Sequence, residues 1–555
     1  MGTFLKKIEM WTTGIIRNKI ALVIALVQFV LSFWTDKLIF NYVTGDFSEG
    51  VLYAIKYMKR TIAAKAVFLV LVILLWQGIF YFFTKTDKGF RYRTLFYFGV
   101  MFLLLLLTWP GIWRLDEFGI LTSSMQLMPY YWHSYITSVW YIFSMMLLPF
   151  PAGIIIVQIA VAALVYARFV SNCLWEYDLH TDSKGGSRRF LFSVIVSVPF
   201  FFFPVLDSNL YPLRMSMYAF LELLLLSELY ILYRKQKSAE RNQSPDCVQN
   251  NGRWVSALAF LAAVVGVWRS EAVYYLVWFP MILCCIGGVR RYWKQIVLYI
   301  AMFAVLFMPQ QIGNKKSSGD GYSLMSTIPS VIPLVLEAQK NGEEALLEPI
   351  DRIIDTEIIA RAAAEGKNVR MEGGLQKDHA TEDFPDYTKA YYKLILKYPT
   401  VFLKERFQNF LASTQLIGNT TKLFAYEEVD YNYNNYVRFR TYPLCKPISD
   451  KMRTFIINIL EVRKLTDNTE KYWATDWIYS PLPAVMILII VFAALLIRRK
   501  WTLAVIVSAA LVRVPLVFLT APSYLFMYYY SVYLIGFVVL FYMIAKYVFL
   551  PKQRQ

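Results

Sequence analysis

Apolar runs of bilayer length alternate with short polar joints along most of the chain. The runs fall at residues 20–40, 66–83, 95–108, 135–148, 154–169, 190–206, 215–233, 254–267, 272–287 and 296–307, and again at 481–497, 503–519 and 524–545. Runs of this length and purity predict transmembrane helices. A polar, partly amphipathic stretch at 41–65 predicts a helix lying in the interface. The mixed stretch 118–133 predicts another along the surface, and 207–214 a polar outer turn. Residues 312–477 break the rhythm. Within them, 331–366 and 386–413 carry apolar residues at helical spacing among charges, which predicts a mostly helical polar domain or large loop.

The polar joints set the orientation. Segment 312–477 holds 22 Lys and Arg against 23 Asp and Glu, a net of −1, while the remainder holds 35 against 16, a net of +19. The excess therefore sits in short loops and tails such as 85–93, 184–189, 234–253, 290–294 and 498–500. Basic loops stay cytoplasmic and face anionic lipid, so both termini are expected inside and 312–477 outside. The net charge of +18 is thereby accounted for without nucleic acid. Loop 184–189 must lie inside, so one of the runs 135–148 and 154–169 is incomplete, leaving about twelve crossings (11–13). The apolar stretch 20–33 follows four basic residues without a small-residue cleavage site and is expected to be a retained first span. Three parts result: a membrane module at 1–311 with an external loop at 109–135, an extracytoplasmic part at 312–477, and a membrane module at 478–555.

A composition 57% hydrophobic and 17% aromatic excludes a soluble globule. The five cysteines have no metal-ligand spacing, and Cys284 and Cys285 are expected mid-span. No His/Asp/Glu cluster at ligand spacing stands out, so no metal or other cofactor is expected. Residues 426–442 are rich in Tyr and Asn, a combination suited to stacking and hydrogen-bonding sugars, and equally to an interfacial aromatic loop.

The candidate chemistry begins at Trp109-Pro-Gly-Ile-Trp-Arg-Leu-Asp-Glu-Phe-Gly119. Asp116 and Glu117 stand directly beyond an apolar run, where charge is expensive and rarely without a partner or a task. Acids there also suit a helix first turn. Asp116-Glu117-Phe118-Gly119 after an outward-going span resembles the Asp-Glu signature in the first external loop of protein O-mannosyltransferases, members of the GT-C superfamily of lipid-sugar-dependent glycosyltransferases. Residues 386–403, with Lys397-Tyr398-Pro399 before an amphipathic helix, are similar to uncharacterised bacterial GT-C-like membrane proteins, as are residues 520–530. Many such relatives carry His-Pro-Pro after the acid loop; here His133 stands in Tyr131-Trp132-His133-Ser134 without prolines.

The resemblance implies an all-helical GT-C-like bundle in a bacterial plasma membrane, or alternatively in the endoplasmic reticulum. It implies transfer of a sugar from a polyprenyl-phosphate donor to an external glycan, lipid or protein acceptor. Asp116 would be the general base, Glu117 would orient it or the acceptor, and the product would be inverted. A leaving phosphate needs positive charge. Arg269 and Arg214, expected at outer span ends, and Arg513, inside a span, are the candidates. Each has a structural alternative: Arg269 paired with Glu271, Arg214 paired with Asp207 or snorkelling, Arg513 in a structural pair. Arg114, His133, Glu271 and Tyr524 are possible substrate contacts, with Arg114 equally suited to tuning the acids. Two rival functions fit the same plan. One is an envelope polysaccharide polymerase or ligase, for which Arg438 and Arg440 would serve. The other is a lipid-linked sugar flippase, which would show repeated halves and charges along a midplane path.

Overall fold

In the computed structural model the chain is described at residues 18–40, 51–113, 115–181, 186–241, 252–317, 321–417, 439, 441–461 and 477–549. Among these residues it is helical, with a lone antiparallel bridge between Ile354 and Gln376 and no strand. Nine helices there are long and apolar enough to cross a membrane. Inside lipid a backbone finds no water, and the helix satisfies its amides and carbonyls internally.

Helix α1 (Lys19–Thr35) opens on Asn18, whose side-chain oxygen accepts from the amides of Ile20 and Ala21. Helix α2 (Val51–Lys85) is one element of 35 residues. The interfacial helix expected at 41–65 is thus, from residue 51 on, continuous with the second span; no Gly or Pro interrupts 51–77. Lys65 does not face solvent either. It turns inward to Asp36 at 2.5 Å and Ser32 at 2.7 Å, and its ammonium lies over the Phe33 ring.

Helix α3 (Lys88–Leu107) leads to the acid loop, followed by α4 (Leu115–Met125), α5 (Tyr135–Leu147) and α6 (Ala152–His180). With 13 residues α5 spans roughly 20 Å, whereas the 29 residues of α6 exceed the bilayer core. Of the two runs, 154–169 lies in a helix of spanning length and 135–148 does not. Helix α4 is not a surface helix: Phe118, Ile120, Leu121 and Met125 are all buried.

The run 190–206 is broken into α7 (Ser187–Ser197), a 3-10 turn (Val198–Phe201) and α8 (Phe203–Ser208). Pro199 and Pro204 explain the break, since each lacks an amide donor and its ring crowds the preceding turn. The stretch expected as an outer turn is interior: Asp207, Ser208 and Asn209 are fully buried. Tyr479 donates to Asp207, and Gln158 to the carbonyl of Tyr211.

Four helices follow: α9 (Arg214–Arg241), α10 (Gly252–Trp268), α11 (Tyr275–Gly287) and α12 (Val289–Ser317). Cys284 and Cys285 lie in the last turn of α11 rather than mid-span. Beyond the membrane helices, α13 (Gly321–Lys340), α14 (Glu344–Asp351), α15 (Thr356–Ala364), α16 (Phe384–Lys397) and α17 (Pro399–Ser413) enclose a core of their own, with Val331, Val335, Ile350, Ile359, Tyr387 and Leu394 at its centre. By contrast Phe439, Cys445 and two residues of α18 (Asp450–Leu460), Ile457 and Leu460, join the large core of the membrane helices. Segment 312–477 thus holds two packings. Of the Tyr- and Asn-rich stretch, 426–438 and 440 lie outside the described residues, and Arg438 and Arg440 with them.

The chain closes with α19 (Leu482–Ile497), α20 (Trp501–Leu511), α21 (Arg513–Thr520) and α22 (Tyr530–Phe549). Pro515 crowds the carbonyl four residues earlier, which places the break between α20 and α21 at Val512. Arg513 sits directly on that break.

Candidate functional site

The acid loop is folded by its own sequence and then clamped from three sides. Gly111 has φ +91°, in the left-handed region, and a Cβ there would stand 2.2 Å from the Cδ1 of Ile155 and 2.9 Å from the carbonyl oxygen of Leu210. The Ile112 amide donates to that same Leu210 carbonyl at 2.9 Å. Arg453 of α18 donates to the Gly111 carbonyl at 3.2 Å, and the Trp109 indole to the Leu444 carbonyl at 2.7 Å. Buried Trp113 stacks near Phe118 and Phe439, with centroids 5.9 and 4.9 Å away.

This clamp delivers α4 with Asp116 and Glu117 in its first turn, where the helix dipole favours negative charge. Their environments differ. The Asp116 side chain is 43% exposed, whereas Glu117 is buried at 1%. His133 Nε2 lies 3.7 Å from the Asp116 carboxylate, too long for a hydrogen bond. Burial, reinforced by the charges of Arg214 and Arg269, holds the His133 pKa well below the usual imidazole value, so the ring is neutral at pH 7. Its Nδ1 is buried, without a hydrogen-bond partner among the described residues. The turn that carries His133 is pinned by α12. Gln310 donates to the carbonyls of Tyr131 and His133 and accepts from the Tyr135 amide, while Gly313 lets the Tyr131 ring lie directly on the helix.

Arg214 opens α9, and its backbone carbonyl accepts from the Trp268 indole at 3.0 Å. Its guanidinium acts electrostatically on Tyr130 and His133, the two rings beside Asp116. Among the described residues Arg214 makes no ion pair with Asp207, one of its structural alternatives; Asp207 accepts from the Tyr479 hydroxyl. Arg269 lies in extended backbone between α10 and the following 3-10 turn, which points its side chain inward. It binds Glu271 through two nitrogens, Nε at 3.0 Å, and keeps Nη1 buried without a partner. Fully buried Arg513 gives Nε to the carbonyl of Tyr528 at 3.1 Å and rests 4.5 Å from the Tyr218 ring centre. Among the described residues both of its terminal nitrogens lack partners. Tyr528 is shared, since its ring also lies under Arg269, and Glu271 feels both guanidinium groups.

The structure therefore brings together Asp116, Glu117, His133, Arg214, Arg269, Glu271 and Arg513. Among the described residues, no hydrogen bond, ion pair or ring contact ties Tyr524 to them, and Arg114 lies outside the described residues. Two participants were missed in the sequence. Glu222, fully buried in α9, accepts from the hydroxyls of Tyr218, Tyr274 and Tyr275 at 2.9 to 3.1 Å and lies within electrostatic reach of Arg513. A carboxylate inside an apolar span was the available signal. Arg406 of α17, buried at the neighbouring joint, donates to the carbonyl of Ala521 at 2.9 Å; nothing in its amphipathic helix marked it.

Chemically, this is one accessible carboxylate beside a neutral imidazole, backed by guanidinium nitrogens that can still accept an anion. Among the described residues no group of three or more His, Cys, Asp or Glu is placed to hold a metal ion. No protein-family model, curated protein or solved structure matches the chain.

Proposed function

We propose that the protein is an integral-membrane glycosyltransferase of GT-C type. It moves a sugar from a polyprenyl-phosphate carrier to an acceptor hydroxyl on the outer side of a bacterial plasma membrane. One observation carries the reading: an accessible carboxylate, Asp116, shares a site with buried arginines whose three orphan nitrogens suit an anion. A buried guanidinium nitrogen without a partner is costly, and a bound phosphate would satisfy it.

In this scheme the acceptor hydroxyl gives its proton to Asp116 while its oxygen attacks the anomeric carbon. The carbon–oxygen bond to the carrier phosphate breaks, and its electron pair leaves with the phosphate toward Arg269, Arg513 and Arg214. A single displacement inverts the anomeric centre. Buried Glu117 and neutral His133 hold the geometry. The bundle would have twelve crossings: the nine long helices, α10, α19 and the broken 187–208 segment, with α5 stopping short. Both termini would lie inside, as the basic loops require.

The test offers purified protein a radiolabelled polyprenyl-phosphate sugar with membrane acceptors. Asp116→Asn is expected to lower transfer by about 10²- to 10⁴-fold. Transfer unchanged by the substitution removes Asp116 from the site.

A second reading has its own support. Buried Glu222, its three tyrosines and Arg513 put charge inside the helices, as in a path for a lipid-linked sugar. A flippase would change the sidedness of labelled lipid in sealed vesicles without covalent transfer.

A further inference from the structure

At the membrane helix ends near the α19–α20 turn, α9, α11 and that turn line an open cavity of about 270 Å³. Its wall gathers Lys237 from α9 with Arg499 and Lys500 from the turn, and among the described residues no acid lines it. The pocket is built, not a loose basic tail. Arg499 adopts φ +54°, a left-handed conformation unusual for a side chain of this size. The amides of Arg499 and Lys500 bond the carbonyls of Leu496 and Leu495 at 2.9 and 2.8 Å, closing α19 and fixing where the two cations emerge. Thr502 donates to the Cys285 carbonyl at 3.0 Å, fastening α20 to the end of α11. Lys237 donates to the Tyr233 hydroxyl at 3.0 Å. Trp501, which also lines the cavity, is 60% exposed.

Lys237, Arg499 and Lys500 share one wall, so an anion entering the cavity would meet all three charges. The exposed indole tells which anion. A free phosphate gains nothing from Trp501, whereas a phospholipid lays its acyl chains beside that ring and its headgroup among the cations. An indole at that depth suits a membrane interface. We propose that this cavity binds the headgroup of an anionic phospholipid, with its phosphate between Lys237, Arg499 and Lys500. The site shares no residue with the acid cluster and does not rest on the glycosyl-transfer reading.

Cys285 lines the cavity and is exposed, which supplies a reporter. Full-length protein, its other cysteines replaced, would be placed in nanodiscs of phosphatidylcholine alone or with phosphatidylglycerol, and maleimide labelling followed. Phosphatidylglycerol is expected to slow labelling of the parent protein. Each basic residue removed weakens binding by about fivefold, so Lys237→Gln/Arg499→Asn/Lys500→Gln should erase the slowing; Asn tolerates the left-handed backbone at 499. Should the triple variant fail to fold, Lys500→Gln alone, at an exposed position, should need about fivefold more phosphatidylglycerol for the same protection. Equal labelling in both lipids, protection that survives the substitutions, or equal protection by inorganic phosphate in phosphatidylcholine would each overturn the assignment.

Discussion

His133 shows how a single side chain can be set by its surroundings. Its ring is buried and faces two guanidinium groups, so the folded protein resists protonating it. The unfolded chain, titrating near pH 6.5, takes the proton first. Stability is therefore full above about pH 6.5 and is lost as pH falls toward the depressed folded value, by at most about 1.4 kcal/mol per pH unit. Thermal unfolding between pH 7 and 5 should show this slope, and His133→Asn should flatten it. Arg269 gives a second prediction. Arg269→Gln leaves Glu271 with only 14% of its side chain exposed and its bidentate partner gone. The expected loss is about 3–5 kcal/mol, and Arg269→Met/Glu271→Met should recover most of it in the same melting experiment. The Arg269–Glu271 pair and the burial of Arg513 were legible in the sequence, because charge near a span needs a partner. Which of their nitrogens stay unpaired was not, since that depends on where the 3-10 turn carrying Tyr528 and the α9 residue Tyr218 pack against them.

Helices read well from apolar runs; their joints did not. The run at 190–206 reads as one unbroken helix because its side chains are uniformly apolar, yet Pro199 and Pro204 divide it. Residues 207–214 looked like a solvated turn because they are polar, yet those polar groups are consumed by tyrosines, a glutamine and backbone of other elements. Composition cannot tell a polar residue that meets water from one that meets a buried partner. Tight joints make their own prediction. Gly111→Ala adds strain at a left-handed position and a clash against Ile155 and the Leu210 carbonyl. It should destabilise the protein by about 1–3 kcal/mol and impair any activity that needs Asp116, measured by melting and by transfer assay together. At Gly313 the added methyl would meet the Tyr131 ring. Gly313→Ala should therefore disturb the His133 turn first, seen as faster hydrogen exchange at residues 130–135 than in the wild type.

Across the described residues there are two hydrophobic cores. The second helical unit, 321–413, contacts the membrane helices through α17, where Arg406 and Asn409 both donate to the Ala521 carbonyl. Arg406→Gln should loosen that junction, raising exchange in 399–413 and 519–526 while α6 and α9 stay protected. This division was half visible in advance. Charge balance separated 312–477 from the rest, but nothing local revealed that 439–461 folds with the membrane helices, because its partners lie hundreds of residues earlier.

Those distant partners bear on how the protein is made. The Trp109 indole waits for a carbonyl 335 positions later, and Gly111 for a guanidinium 342 positions later. While the ribosome is still extending the chain, the early helices can enter the lipid, but the loop that carries Asp116 has no lid to hold it. A growing polypeptide therefore carries its carboxylate in an unfinished cradle until Leu444 and Arg453 have been synthesised, and the centre matures late in biogenesis.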